Sequence, residues 1–365
     1  MKNETMTLNY IAELKLPSKS AQSIQVMKMC DSFSRLNLNV NLYVYNNIDS
    51  SKILKIYNCQ SQFKIHSLGI ENNNFFSRLY FAIKLFLIFL NKNNQNYIYS
   101  RSILSAILLS IIKKNIILEI HHEFTGFTKQ LFNYIKNFNF FKNIKIVYIS
   151  NNLKNFFKIK NKNVVLDDAV DIGEFNVLRK EKKIDNTCLY SGSFTKGKGI
   201  ENILKIAKLS KNTKFHLYGD LSNSRYTELE FRKYKNVFYN GYVKYNKIPS
   251  ILNKYYLYLM PYSKEVYVRS KSIEVSNYMS PLKLFEYLAS DGVLMASKMD
   301  VYKHILNKNN SILVDNKSPH EWKRNIDKFF KNTNKYKRLS INSSKIAKKY
   351  TWNNRARKIL KFLNV

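Results

Sequence analysis

Glycine, cysteine and acidic residues are scarce in this chain of 365 residues, which contains nine glycines, three cysteines and 25 Asp and Glu against 61 Lys and Arg. Because Cys30, Cys59 and Cys188 are odd in number and far apart, the sequence argues against a disulfide framework or a cysteine-based metal cluster. The longest apolar runs, 79–90 and 103–118, are too short for a spanning helix of about 20 residues or are interrupted by lysines. The first ten residues also lack the apolar core of a signal peptide. We therefore expect a cytoplasmic protein in a reducing compartment.

The excess of basic residues gives a net charge of +36, which points to an anionic partner or to a solvated lysine surface. Nucleic-acid-binding proteins usually concentrate their positive charge and interleave it with aromatic residues. Lysine here is spread along the whole chain, so we expect no nucleic-acid partner. A peripheral contact with the inner face of an anionic membrane stays open. For the segment 129–145, which mixes aromatic and aliphatic residues with lysines, such a contact and an ordinary amphipathic surface helix are both open.

Strand-like and helix-like patterns alternate along the chain, which favours parallel sheets with right-handed crossovers. In the first half they predict strands at 8–14, 40–45, 97–100, 116–120 and 144–149, and helices at 21–35, 75–90, 103–112 and 152–157. The second half restarts with strands at 187–190, 214–218, 237–238, 257–260, 293–296 and 312–314, and with helices at 199–209, 248–253, 281–290, 321–331, 335–348 and 353–362. Because the length suits two domains, we predict an α/β protein with a cleft between two sheets of similar size.

Six of the nine glycines lie between positions 192 and 292, and one group falls in the segment 190–200, YSGSFTKGKGI. This segment follows a predicted strand and opens a predicted helix. Its glycines leave backbone N–H groups free, the helix start adds partial positive charge, and Lys196 and Lys198 add cations. The segment therefore favours a diphosphate-binding loop in the second domain, although it lacks the Walker pattern.

A second candidate is the segment 280–287, SPLKLFEY. Pro281 fits the first turn of a helix, and Ser280 fits its N-cap. Lys283 and Glu286 are three residues apart and share one helical face, whereas Leu282 lies on an opposite, core-facing stripe. On that face Glu286 would accept hydrogen bonds from two ribose hydroxyls, and Lys283 would neutralise a phosphate. The alternative is a surface ion pair that contributes a few tenths of a kcal/mol.

Two polar segments in the first half are further candidates. The segment 119–123, EIHHE, ends a predicted buried strand and places His121 at the cleft. No further ligand cluster is close in sequence, so we expect no metal. The loop after the first strand contains Ser18, Ser20 and Gln22 but no glycine, which argues against a nicotinamide or flavin cofactor and suits an acceptor-facing loop.

Taken together, these segments resemble the retaining sugar-nucleotide glycosyltransferases of glycosyltransferase family 4 over nearly the whole chain. The most specific parts are 280–288 and, at the expected distance upstream, 190–200; further similar stretches are 17–35, 99–101, 119–121, 149–153, 170–171 and 350–352. The resemblance implies the GT-B fold, which has two facing Rossmann-like domains with an interdomain cleft. Here the N-terminal acceptor-side domain would span 1–168 and the donor domain 169–349, and a C-terminal helix at 350–365 would cross back to the first domain.

The resemblance also implies an activity. A hexosyl or related sugar would pass from a nucleotide sugar to a glycan or lipid-linked acceptor, with retention, in cell-surface polysaccharide or lipopolysaccharide biosynthesis. The nucleotide sugar is then a substrate, and no separate cofactor is expected. Sugar-nucleotide epimerases and phosphorylases on the same plan are alternatives, as are a sugar-nucleotide binder without activity and a basic nucleic-acid-binding protein.

For individual residues, the resemblance implies three catalytic positions. Glu286 would bind the nucleotide ribose, Lys198 would contact the donor diphosphate, and His121 would lie near the donor sugar. The same likeness places Gly192 close to the nucleotide. The implied donor-binding set comprises Gly192, Ser193, Lys198, Ser280, Pro281, Leu282, Lys283 and Glu286.

Two positions depart from the family pattern. The first glutamate of a pair spaced eight apart falls at Tyr278, and the arginine that precedes the lysine by five falls at Ser193. Arg269 and Glu274 are the candidates to compensate, together with Tyr278 itself. These departures leave the donor sugar unassigned.

Overall fold

In a computed structural model of the protein, the chain divides into two units. One consists of Met1–Asp167 with Trp352–Val365, and the other of Asp168–Thr351. The structure describes residues 6–47, 49–91, 96–176, 183–222, 224–268 and 273–364. Each unit contains a parallel sheet with helices, which confirms the predicted α/β class with two Rossmann-like domains.

The strands of the first unit are β1 (Thr7–Ile11), β2 (Lys15–Leu16), β3 (Asn39–Val44), β4 (Asn46–Asn47), β5 (Lys64–Ser67), β6 (Tyr97–Ser100), β7 (Ile116–Ile120), β8 (Lys145–Tyr148) and β9 (Asn163–Val165). One parallel sheet has the order β5-β3-β1-β6-β7-β8-β9, and β2 pairs with β4. The order reverses between β1 and β6. In doubly wound sheets, ligands bind beyond the carboxyl ends of the strands at such a reversal.

The helices before the unit boundary are α1 (Ala21–Arg35), α2 (Ser50–Ile56), α3 (Phe75–Leu90), α4 (Ile103–Ile112), α5 (Gly126–Ile135), α6 (Asn139–Lys142) and α7 (Asn151–Phe157). Polar side chains fix several of their starts. Ser20, Asn74 and Ser102 each accept a hydrogen bond from the backbone N–H three residues later, at the starts of α1, α3 and α4. These caps satisfy amides that have no partner within the helix.

The second unit repeats the plan with helix α8 (Ile172–Asn176) and strands β10 (Ile184–Ser191), β11 (Lys214–Tyr218), β12 (Val237–Tyr239), β13 (Tyr255–Met260), β14 (Tyr267–Val268), β15 (Ile273–Glu274), β16 (Val293–Ser297) and β17 (Ile312–Val314). Its parallel sheet has the order β12-β11-β10-β13-β16-β17. Here the order reverses between β10 and β13. Strands β14 and β15 form a small antiparallel pair.

The later helices are α9 (Ile200–Leu209), α10 (Glu228–Arg232), α11 (Ile248–Leu252), α12 (Leu282–Ala289), α13 (Pro319–Lys331), α14 (Lys337–Ala347) and α15 (Trp352–Leu363). Alternate residues of β13 face opposite sides of the sheet. Tyr258 and Met260 pack in one cluster with α12, whereas Leu257 and Leu259 pack in another with α9 and α13. The last helix, α15, belongs to the first unit.

Within the part of the chain that the structure describes, no helix is both long and apolar enough to cross a membrane. The longest apolar helix, α3, has 16 residues.

Candidate active site

The carboxyl ends of β10 and β13 meet where the strand order of the second unit reverses. Helix α12 is tied to the end of β10, because the Ser191 N–H donates to the Tyr287 hydroxyl at 2.8 Å. The position after Ser191 is Gly192, and Tyr262 follows β13 by two residues. These segments surround Lys283 of α12.

Lys283 is buried, with its Nζ 3.7 Å from the ring centroid of Tyr190 and 5.4 Å from that of Tyr262. Among the described residues this Nζ has no hydrogen-bond partner. Burial and the positive charge of Lys198 hold the pKa of the Lys283 amine well below its usual range, although Glu286 opposes this shift. A buried amine without a partner is unfavourable, so an anion placed here would stabilise it.

Lys198 also approaches the Tyr262 ring, with its Nζ 4.9 Å from that ring centroid. It is half-buried, and burial lowers the pKa of its amine to about 8. Tyr262 therefore contacts two amines whose pKa values are both lowered. This is an electrostatic environment that favours a ligand with more than one negative charge.

Glu286 is also buried, and burial raises the pKa of its carboxyl to about 7, against the opposing effect of Lys283 and with a further contribution from Glu174 on α8. The surface ion pair considered from the sequence is therefore wrong. Every residue of α12 is buried, because α8 and α14 pack against this helix in addition to the sheet. Residues Lys283 and Glu286 share one face as predicted, but that face lies inside the unit.

Gly192 has a φ of +143°, and a Cβ built at this position would lie 2.6 Å from Lys283 Cε. A side chain would therefore displace the lysine. Gly199, at the N-cap of α9, has a φ of +95°, and its Cβ would lie 2.7 Å from the carbonyl carbon of Pro261. The glycines of the 190–200 segment thus permit close approach within the protein, both to Lys283 and to the loop after β13.

The predicted start of α12 needs a correction. The helix begins at Leu282, with Pro281 at the N-cap in an extended conformation. Ser280 is not the cap, because its Oγ accepts a hydrogen bond from the Asp168 N–H at 2.8 Å. Ser280 therefore fixes the chain at Asp168, the first residue of the second unit.

The structure describes most of the residues that concern the departures from the family pattern. Ser193 is exposed, and its carbonyl accepts from the Tyr190 hydroxyl at 2.7 Å. Glu274 is exposed on β15 and accepts a hydrogen bond from Ser276. Tyr278 is half-buried, with its N–H donating to Val275 O at 2.9 Å. Arg269 lies outside the described residues, so compensation by Arg269 or Glu274 stays a prediction.

In the first unit, His121 follows β7, and its Nε2 lies 2.6 Å from Oε1 of Glu119. Burial of the imidazole and the positive charge of Arg101, against the opposing effect of Glu119, lower the pKa of His121 to about 4. The ring is therefore neutral at pH 7. Because Glu119 accepts from Nε2, the proton is on that nitrogen and Nδ1 carries a lone pair.

Glu119 is the centre of a network that the sequence patterns do not reveal. Its buried carboxylate also accepts from Arg355 of α15 at 2.9 Å, from Gln25 of α1 and from Tyr99 of β6. Burial opposes ionisation, but the neighbouring cations, Arg355 foremost, hold the pKa of this carboxylate well below its usual range. One signal in the sequence could have indicated such a network. Glu119 is an acidic residue inside the apolar strand IILEI, and a buried carboxylate requires a partner.

The hydrogen bonds of the loop at 18–22 are made mainly to other residues of the first unit. Ser20 caps α1, and Ser18 Oγ donates to Ser20 Oγ at 3.0 Å. The backbone of Ser18 bonds to the Tyr57 hydroxyl through both its N–H and its carbonyl. Gln22 is half-buried in the first turn of α1. An acceptor-facing role for this loop stays a prediction.

The described residues contain no group of three His, Cys, Asp or Glu side chains placed to hold a metal ion. The absence of a metal site stays a prediction.

The lysine and glutamate positions of the second unit fall within a region that matches a known family. Residues 174–346 match the family model described as glycosyl transferases group 1. This region lies inside the second unit. No curated protein sequence matches the chain.

Solved structures of similar fold extend over nearly the whole chain. A glycosyltransferase from Rickettsia africae ESF-5 aligns with a TM-score of 0.74 at 15% identity, covering 99% of this chain and 98% of that one. HepE from Anabaena, in complex with UDP and glucose, has a TM-score of 0.69 at 11% identity and coverage of 98% and 99%. WaaG, a glycosyltransferase involved in lipopolysaccharide biosynthesis, has a TM-score of 0.64 at 11% identity, with coverage of 98% and 99%. The fold is that of the GT-B glycosyltransferases.

Proposed function

We propose that this chain, whose second unit matches the group 1 glycosyl transferase model, is a retaining glycosyltransferase of family 4. It moves a hexosyl or related sugar from a nucleotide sugar to a glycan or lipid-linked acceptor in cell-surface polysaccharide or lipopolysaccharide biosynthesis. The observation that carries the proposal is the pair of amines, Lys198 and Lys283, at the strand ends where the sheet order reverses. The low cysteine content supports a cytoplasmic location.

A pair of fixed cations suits the chemistry of sugar transfer. Cleavage of the donor leaves negative charge on the departing diphosphate while positive charge develops at the anomeric carbon. Fixed cations stabilise that charge most effectively in a site that excludes water. Lys198 and Lys283 would take the diphosphate oxygens, and Glu286, once ionised, would accept from the ribose hydroxyls. When the donor binds, its negative charge would favour the protonated form of both amines and so raise their pKa values.

Retention follows if the acceptor hydroxyl attacks from the face that the diphosphate leaves. The departing phosphate oxygen then takes the hydroxyl proton, and the new glycosidic bond forms where the old bond to the diphosphate breaks. His121 assists by positioning, because Glu119 keeps its proton on Nε2 and leaves Nδ1 to accept from a sugar hydroxyl.

The donor class is supported by the neighbours. HepE is solved with UDP and with UDP-glucose, and WaaG is involved in lipopolysaccharide biosynthesis. We therefore propose a UDP-sugar as the donor.

A thermal-shift screen with UDP-, GDP-, ADP- and dTDP-sugars identifies the donor, and product analysis with the radiolabelled sugar then tests transfer. We expect a UDP-sugar to raise the melting temperature and label to pass to a glycan or lipid-linked acceptor. Lys198→Ala should reduce transfer far more than it reduces stability. Epimerisation of the labelled donor without transfer would contradict the proposal, as would equal losses of transfer and stability in Lys198→Ala.

A further inference from the structure

One helix of the first unit exposes an unusual number of large apolar side chains. On α3 these are Phe76, Leu79, Tyr80, Ile83, Leu87, Ile88 and Leu90, which we call the α3 face. Phe76 is 78% exposed and Leu87 is 61% exposed. The helix does not need these residues for its own core, because Phe81, Ala82, Leu85 and Phe89 fill the inner side. A contiguous apolar surface of this kind marks an interaction site.

The apolar surface continues onto neighbouring helices. Phe75 of α3 packs against Phe127 of α5 with ring centroids 5.0 Å apart. Phe127 is 56% exposed, and Tyr134, two turns further along α5, is 73% exposed. The segment 129–145 is not one amphipathic helix, because it contains the end of α5, the short α6 and the start of β8. Its exposed aromatic residues extend the α3 face.

The charge around this surface is mainly positive, although Arg78 of α3 pairs with Glu13 and Glu71 precedes the helix. Residues 72–166 contain 14 Lys and Arg but only two acidic residues, Glu119 and Glu123. Of these two, Glu119 is buried and bonded to Arg355. Exposed lysines occur on or just after the helices that follow α3, with Lys114 after α4, Lys129 on α5 and Lys142 on α6. The surface therefore combines apolar side chains with an excess of positive charge.

We infer that the α3 face is a docking surface for an anionic lipid bilayer, on which α3 lies with Phe127 and Tyr134 in the headgroup region. Such a bilayer takes up apolar side chains and attracts lysines at the same time. A second copy of the chain would bring equal positive charges together, and a nucleic acid would leave the aliphatic side chains in water. With 16 residues, α3 is too short to span and suits a position in the plane of the interface.

This inference goes beyond the proposed function, since it concerns the first unit alone and would stand if the donor assignment failed. Vesicle co-sedimentation of the full chain tests it, with phosphatidylglycerol-containing vesicles and with vesicles of phosphatidylcholine alone. The variant is Ile83→Glu with Leu87→Glu, which places good helix formers at exposed positions. The matched control is Ile341→Glu with Leu229→Glu in the second unit, where the side chains are 49% and 68% exposed.

We expect the wild-type chain and the control to bind the anionic vesicles equally. The α3 variant should bind at least about tenfold more weakly, because each lost apolar side chain contributes strongly to insertion. Lys129→Gln and Lys142→Gln should each weaken binding about fivefold, and phosphatidylcholine vesicles should bind poorly. Melting temperature and UDP affinity, measured in parallel, should be unchanged in the α3 variant, which separates this result from any failure of the donor site.

Two outcomes would overturn the inference. The first is equal vesicle binding by the α3 variant and the wild-type chain, or no binding by either. The second is a wild-type dimer in analytical ultracentrifugation that the α3 variant converts to a monomer, since the occupant would then be a second copy.

Discussion

Lys283 and Glu286 lie one turn apart on α12, and both are buried. The Lys283 amine has no hydrogen-bond partner among the described residues. Burial lowers the pKa of Lys283 and raises the pKa of Glu286, so it favours the neutral form of each group. Such an arrangement costs stability when no ligand is present. A nucleotide with a diphosphate and a ribose, the ligand that we propose, would supply a partner to each group.

Lys198 offers a test through pH. Its pKa of about 8 means that UDP affinity should fall as the pH rises from about 7 to about 9, because the amine loses its proton. Lys198→Arg keeps its charge over this range, so its UDP affinity should fall much less. Isothermal titration calorimetry across the range measures both. An identical alkaline loss in the wild-type chain and the variant would show that Lys198 does not carry it.

Glu286 offers a second test, without ligand. Its folded pKa of about 7 lies above the unfolded value, so the wild-type chain loses stability as the pH rises from about 5 to about 8 and the buried carboxyl ionises. Glu286→Gln removes that ionisation. The melting temperature of the variant relative to wild type should therefore increase over this range, as followed by scanning fluorimetry. A difference independent of pH would contradict the raised pKa.

The sequence predicted this site only in part. The i, i+3 spacing of Lys283 and Glu286 correctly predicts one shared face, but a Lys–Glu face is normally solvated. Its burial depends on α8, which brings Glu174 close to Glu286, and on α14, and both are distant in sequence. The sequence around Lys283 and Glu286 therefore does not show that these helices will cover them. The predicted Ser280 cap is wrong for a similar reason, because its hydroxyl accepts from the N–H of Asp168, which is distant in sequence.

At the scale of elements, α15 completes the core of the first unit from the far end of the chain. Arg355 Nη2 donates to Glu119 at 2.9 Å, and its Nε donates to Asp167 O at 2.9 Å. Glu119 in turn accepts from His121. The final helix therefore stabilises the carboxylate that orients the histidine.

Removing the Arg355 side chain should lower the free energy of unfolding. Arg355→Ala leaves the Glu119 carboxylate buried without its main cation, which typically destabilises a protein by about 3–5 kcal/mol. Arg357→Ala, in the same helix but exposed, is the matched control and should change stability by less than about 0.5 kcal/mol. Urea unfolding, followed by circular dichroism, compares the two variants.

A second substitution separates the ion pair from general loss of packing. In the Arg355→Ala background, Glu119→Gln removes the uncompensated charge and should recover part of the lost stability. If it gives no recovery, or if Arg357→Ala is as destabilising as Arg355→Ala, the carboxylate is not the origin of the effect.

Elements with strong patterns were predicted well. The helices at 21–35, 75–90 and 103–112 and the strand at 116–120 have the predicted bounds. The structure adds α2 and β5, which the patterns did not predict, because each is short and only partly buried. The Glu119–Arg355 contact joins residues 236 apart in sequence, so no local pattern could reveal it.

At the scale of the whole molecule, the two sheets repeat one plan. In each, the strand order reverses beside the first strand of the sheet. In the first unit Arg101 follows β6, and its N–H donates to Ile11 O of β1 at 2.9 Å. In the second unit, Gly192 follows β10 and lies against Lys283. The group 1 match covers the second unit, so the donor assignment depends chiefly on that half of the chain.

We propose that the protein keeps Lys283 buried so that its amine can bind a diphosphate. The most direct test is UDP affinity by calorimetry, together with melting temperature without UDP, for wild type and Lys283→Met. Lys208→Met is the control, because Lys208 also lies over a tyrosine ring, at 5.6 Å from the Tyr234 centroid, but is exposed. We predict that Lys283→Met binds UDP about 10- to 100-fold more weakly, as expected for loss of a charged hydrogen bond, and melts at the same or a higher temperature. Unchanged UDP affinity in Lys283→Met would contradict the account.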